Sequence, residues 1–250
     1  MKASRAKTSD MSPVFAQERL IVALDVPSIE EARQMVRKLG DTVSFYKIGL
    51  QLQLAEGVLN FIEELIGSEK KVFLDYKYLD IAETIENAVA RVASIGVSFL
   101  TVHGNGKTIE AAVKGRGDSE LKILAVTVLT SLDAYDIKDM GYDCPVKELV
   151  LYRAQKCLEA GCDGVIASGQ ETEDIREVAG DSLLIITPGI RPKGVGQDDH
   201  KRPSSPAQAV LSGADYLVVG RPVRDADDPV SAARGIIQEM QDAFDQRASA

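Results

Sequence analysis

Eight short β-branched runs, each followed by a helix-like pattern, fill 250 residues without a compositional break and predict an α/β fold, a single-domain (β/α)8 barrel. Near-continuous apolar strands require cover on both faces, which a parallel sheet wrapped in helices supplies. Eight repeats favour closure over an open doubly wound sheet, and about 250 residues is the usual length of such a barrel. Active sites of this architecture lie at the C-terminal ends of the strands, so those ends carry the functional reading.

Residues 1–17 contain Lys2, Arg5 and Lys7 with no apolar stretch after them, which predicts a disordered leader rather than a signal peptide, with the barrel expected over 18–250. Strands are expected at 19-RLIVALD-25, 43-VSFYKIG-49, 71-KVFLD-75 and 97-VSFLTVH-103. The second half repeats the signal at 122-KILAVTVLT-130, 164-GVIAS-168, 183-LLIIT-187 and 215-DYLVVG-220. Between them, segments 28–40, 52–67, 81–96, 107–115, 146–161, 171–180 and 205–214 space apolar residues by three and four, as does 228–244 at the end. Several of these stop at glycine, and 28-SIEE-31 reads as a capping box with Ser28 as N-cap and Glu31 three residues on.

The balance of 38 acidic against 29 basic residues gives a net charge of −9, which suits neither duplex nor other nucleic-acid binding but leaves room for a small anion held by a local basic cluster. No apolar run approaches the roughly 18 residues of a membrane span, so no membrane partner is expected. Cys144, Cys157 and Cys162 are an odd set without C-x-x-C, which fits a reducing compartment, the cytoplasm, and argues against a disulfide framework or zinc site.

Ionisable side chains stand where the strands end: Asp25, Lys47, Asp75 with Lys77, His103, and Arg221 just past the eighth. All are expected to converge at one mouth. Residues two apart on a strand share a face, so Asp75 and Lys77 should project together, with Asp80 one short turn later. Met anywhere in a chain, D-x-K-x-x-D reads as a solvated salt-bridge cluster. Here 75-DYKYLD-80 follows a buried strand at the catalytic rim, where carboxylates can hold a lysine charged and aimed for proton delivery to a carbanion. His103 reads either as an acid–base group or as a rim histidine bonded to a neighbouring loop.

The loops after strands seven and eight form the usual phosphate grip of this fold, and they read 187-TPGIRPKG-194 and 219-VGRPV-223. Gly220 lets a backbone N–H approach an oxyanion, while Arg191 and Arg221 offer planar donor forks; the alternative is a pair of turns with solvated arginines. A rival signal, 106-GKT-108, lacks the P-loop glycine five residues earlier, where Thr101 stands. The two histidines form no H-x-H or H-x-x-x-H metal pattern.

From about Arg19 to Ala233 the chain resembles the bacterial orotidine 5′-phosphate decarboxylase family. The resemblance rests on 22-VALDV-26, 45-FYKIG-49, 75-DYKYLDIAET-84 fitting D-x-K-x-x-D-I-x-x-T, 127-TVLTS-131, 187-TPGIRP-192 and 219-VGRP-222, in that order. It implies cofactor-independent, metal-free decarboxylation of orotidine 5′-phosphate to UMP and CO2, the last step of de novo pyrimidine nucleotide synthesis. By the same resemblance Lys77 is the proton donor to C6 of the pyrimidine, flanked by Asp75 and by Asp80, which reaches across a homodimer interface into the partner's site. Lys47 completes the charged array and binds the ribose hydroxyls with Asp25. Ile81, Thr84, Thr130, Ser131 and Pro188 join the substrate-binding set, with Arg191, Gly220 and Arg221 on the phosphate. His200, in 199-DHKR-202, stands where the family usually has a glutamine touching base and phosphate, and 79-LDIAET-84 replaces the common H-D-I-P-N-T.

Two other readings compete. A magnesium-dependent hexulose-phosphate synthase or keto-gulonate-phosphate decarboxylase of the same suprafamily shares D-x-K-x-x-D. A non-catalytic nucleotide-binding barrel belongs to another class, and it has no need for a lysine between two acids.

Overall fold

The computed structural model describes residues 15–192 and 204–249. Eight parallel strands hydrogen-bond in chain order and close into a barrel. They are β1 (Leu20–Ala23), β2 (Phe45–Gly49), β3 (Lys71–Tyr78), β4 (Phe99–His103), β5 (Lys122–Val126), β6 (Gly164–Ile166), β7 (Leu184–Thr187) and β8 (Tyr216–Val219). Closure is made at β1, whose Val22 lies opposite both Tyr46 of β2 and Val219 of β8. The outer layer comprises α1 (Ile29–Leu39), α2 (Leu50–Gln53), α3 (Val58–Gly67), α4 (Ala82–Ala93), α5 (Gly106–Arg116) and α6 (Ala134–Asp139). It continues through α7 (Val146–Ala160), α8 (Thr172–Ala179), α9 (Pro206–Leu211), α10 (Arg221–Arg224) and α11 (Pro229–Ala248).

Period-two alternation splits the strand residues between two cores. Leu20, Val22, Tyr46, Ile48, Leu74 and Leu100 point outward and are buried under the helices. Ile21, Phe45, Phe73, Phe99, Ile186 and Val218 point inward and pack against one another. The rings of Phe45 and Phe99 lie 4.9 Å apart, and Tyr216 stands edge-on to Phe99 at 5.1 Å. Because these aromatics come from the first residues of their strands, they plug the barrel floor and leave the C-terminal half for polar groups.

Carboxylates brace the floor from beneath. Asp163, just ahead of β6, accepts the Ile123 N–H at 2.9 Å and a bond from the Arg116 guanidinium. Asp215, ahead of β8, accepts the Ile185 N–H at 2.8 Å and Arg176 at 2.8 Å. Charge at this end therefore satisfies strand termini, whereas charge at the opposite end faces a cavity.

Several elements differ from their sequence expectation. The strand expected over 122–130 stops at Val126, because its neighbour β6 is only three residues long and the ladder runs out of partners. The helix expected over 52–67 is two helices, broken where Gly57 adopts φ +80°. Helix α6, which the sequence pattern did not suggest, starts at Asp133, whose side chain accepts the Tyr135 and Asp136 N–H groups in a capping box. At α1 the Ser28 hydroxyl accepts the Glu31 N–H at 3.2 Å, one arm of the box expected there, and the Glu31 carboxylate meets that hydroxyl instead. Residues 1–14 of the expected leader lie outside the described residues. Ala16, also assigned to the leader, is buried in a short 3-10 helix (Ala16–Glu18), and its N–H bonds Gln241 of α11 at 2.9 Å.

Candidate active site

Beyond the aromatic floor the inward positions of β2, β3 and β4 turn polar. Lys47 follows Phe45 by two residues on β2, and Asp75 follows Phe73 by two on β3. Lys47 Nζ lies 3.1 Å from Oδ1 of Asp25 and 3.4 Å from Oδ2 of Asp75. Lys77 Nζ donates to the other oxygen of Asp75, Oδ1, at 2.8 Å. The result is a row of alternating charge, Asp25–Lys47–Asp75–Lys77, across three neighbouring strands. Lys47 is nearly buried, so its ammonium is held by these carboxylates and little water.

Gly49 leaves space beside the row. A Cβ there would come within 3.0 Å of Lys47 Nζ and 3.1 Å of Asp25 Oδ1, tighter than ordinary contact. Burial acts most strongly on the Asp75 carboxyl and pushes it up. The Lys47 and Lys77 ammonium groups, with hydrogen bonds from Lys77 and Thr101, outweigh burial and hold it below the ordinary aspartate value.

Asp75 and Lys77 share a face as the spacing predicts, but not on a regular strand. The β3–β4 register slips between Leu74 and Tyr78, where three residues of β3 run opposite one of β4, and Lys77 sits at φ +49°. The strand also extends to Tyr78, three residues beyond the expected end.

These groups line one wall of a cavity of about 290 Å³ at the C-terminal mouth. Arg191, Gly220 and Arg221 line it as well, from the loops after β7 and β8, and Thr130, Ser131 and Pro188 also border it. Ten of the residues singled out from sequence thus meet in one cavity. Arg224 joins them unexpectedly: it lies one turn after Arg221 on α10, and its guanidinium donates to the Asp25 carbonyl at 2.7 Å. The i, i+3 spacing of the two arginines was its only signal in the sequence.

Three residues expected in the substrate site do not line this cavity. Asp80, Ile81 and Thr84 are exposed outside it, with Ile81 71% accessible, so within a single chain they do not join the array. His200 lies outside the described residues. His103, expected at the common mouth, instead lines a neighbouring cavity of about 220 Å³ with Arg153 and Tyr142. Burial and the nearby charges of Arg153 and Lys77 lower its pKa, which favours the neutral ring. Among the described residues no three His, Cys, Asp or Glu side chains are gathered as a metal site.

Residues 18–236 match the family model described as the orotidine 5′-phosphate decarboxylase / HUMPS family. The chain belongs to that family. A relative from Nitrobacter winogradskyi named orotidine 5′-phosphate decarboxylase is 55% identical over 230 residues, covering 92% of this chain and 95% of the relative. One of the same name from Methylococcus capsulatus is 47% identical over 233 residues, 93% and 96% of the two chains. The crystal structure of orotidine 5′-phosphate decarboxylase from Lactobacillus acidophilus superposes with a TM-score of 0.78 at 34% identity, covering 89% of this chain and 99% of that one. In this chain of the orotidine 5′-phosphate decarboxylase / HUMPS family, the first acid and the lysine of the D-x-K-x-x-D string line the cavity and the last acid does not.

Proposed function

We propose that this protein decarboxylates orotidine 5′-phosphate to UMP and CO2, with no cofactor. The observation that carries this reading is the Lys77 ammonium, fixed 2.8 Å from Asp75 inside a cavity that Arg191 and Arg221 also line. The decarboxylase names of the relatives support the same substrate.

In the proposed reaction the bond between C6 and the carboxylate carbon breaks, its electron pair stays at C6, and CO2 leaves. Lys77 Nζ stabilises the developing negative charge and then passes a proton to C6, after which the neutral amine regains a proton from water. Asp75 keeps Lys77 charged and aimed. Lys47 and Asp25 bind the ribose hydroxyls, and Thr130, Ser131 and Pro188 border the pyrimidine. Arg191, Gly220 and Arg221 hold the phosphate, where remote binding energy orders the charged row.

The proposal extends to a homodimer in the cytoplasm. Asp80, Ile81 and Thr84 are exposed just after β3 and would complete a partner's site, and isologous contact would build two equal sites. The three cysteines are unbonded, in keeping with a reducing compartment.

The deciding assay follows loss of orotidine 5′-phosphate absorbance with and without EDTA, with product identified by chromatography. Stoichiometric UMP at a rate indifferent to chelator supports the reading. No turnover, or turnover abolished by EDTA, refutes it and favours a metal-assisted family member or a binding barrel.

A further inference from the structure

Thr101 of β4 touches both Asp75 and Lys77, yet it does not line the cavity. It is completely buried. Its hydroxyl donates to Oδ1 of Asp75 at 2.9 Å and accepts the backbone N–H of Lys77 at 3.0 Å. We propose that Thr101 is a positioning residue for the reaction, a buried clamp that sets the conformation of Lys77 and the aim of the Asp75 carboxylate; this deepens the decarboxylase reading and rests on it.

The physical need for a clamp lies in the register slip. Where three residues of β3 run opposite Thr101 alone, the Lys77 N–H leaves the regular ladder, and a buried N–H without an acceptor is costly. Lys77 also occupies the left-handed region, which disfavours side chains other than glycine unless the surroundings hold it. One hydroxyl answers both demands. It gives the displaced N–H an acceptor, and it spends its own proton on the carboxylate oxygen that receives the Lys77 ammonium. Backbone and side chain of Lys77 are thereby tied through two bonded oxygens, Oγ1 of Thr101 and Oδ1 of Asp75. Valine has nearly the same shape but offers neither bond, while serine offers both.

The test compares Thr101→Val and Thr101→Ser with wild type in orotidine 5′-phosphate turnover, UMP inhibition and thermal unfolding. For Thr101→Val, kcat should fall about 100-fold while KM and the UMP inhibition constant stay within about threefold, because phosphate and ribose contacts are untouched. The acidic limb of its kcat profile should move to higher pH, since a carboxylate that loses a donor is protonated more easily. Thr101→Ser should stay within about fivefold of wild type. If the valine protein does not fold, Thr101→Cys, with a weak thiol donor in place of the hydroxyl, carries the same expectation at smaller size. A valine variant within about threefold of wild-type kcat, a serine variant as poor as valine, or kcat and KM changing together overturns the clamp while leaving the decarboxylase reading intact. A wild-type protein that does not consume orotidine 5′-phosphate overturns that reading and the clamp with it.

Discussion

One carboxylate serves two ammonium groups: Oδ1 of Asp75 receives Lys77 at 2.8 Å, and Oδ2 lies 3.4 Å from Lys47. A half-buried acid of this kind orients both cations, and only Lys77 is proposed to give a proton. Replacing Lys77 by alanine should cut turnover by more than about a thousandfold, with circular dichroism and UMP binding retained. Turnover within about tenfold of wild type would remove Lys77 from the role of proton donor.

The Asp75 carboxyl titrates lower in the folded protein than in the unfolded chain, so its contribution to stability is complete above the unfolded value of about 3.9 and is lost as pH falls through the lower folded value. In urea unfolding, the stability gap between wild type and Asp75→Asn should be constant from about pH 5 to 7 and shrink below about pH 4. A gap that is the same at pH 3 and pH 7 would contradict a depressed carboxyl.

Gly49 has an extended backbone that alanine can adopt, so only the space beside Lys47 and Asp25 decides the effect of a methyl group. Gly49→Ala should leave the fold intact and push the Lys47–Asp25 pair apart. The expected readout is KM raised about tenfold, as for loss of one charge-assisted bond to the ribose. An unchanged KM would show that the two tips yield without consequence.

Shared sites can be tested by mixing Lys77→Ala with Asp80→Asn, each of which should be nearly inactive alone. After random exchange about half of the dimers are mixed, and half of their sites have both residues intact, so roughly a quarter of wild-type activity should return. Exchange seen by mass spectrometry without recovered activity would place Asp80 in the service of its own chain.

The barrel, its strand order and most of its cavity were legible in the sequence because each depends on short-range pattern. Alternation along a strand decides which residues face inward, and parallel strands joined by helices become neighbours in chain order, so Asp25, Lys47 and Asp75 had to meet. The cavity positions of Arg191 and Arg221 were legible for the same reason, since each lies just past a strand end.

Tertiary structure alone decided where ladders stop and which way borderline residues turn. β5 ends at Val126 because β6 supplies only three partners, a fact stored about 40 residues away. Lys77 reaches Asp75 through a register slip that exists only when β4 is alongside, with Thr101 in place to receive its N–H. His103 continues an inward pattern and yet borders the second cavity beside Arg153, which α7 brings in. Asp80, Ile81 and Thr84 sit on a motif that reads as active-site sequence, but one chain leaves them exposed. Hydrogen-bond partners, packing neighbours and exposure are properties of two or more segments at once, and no local pattern holds them.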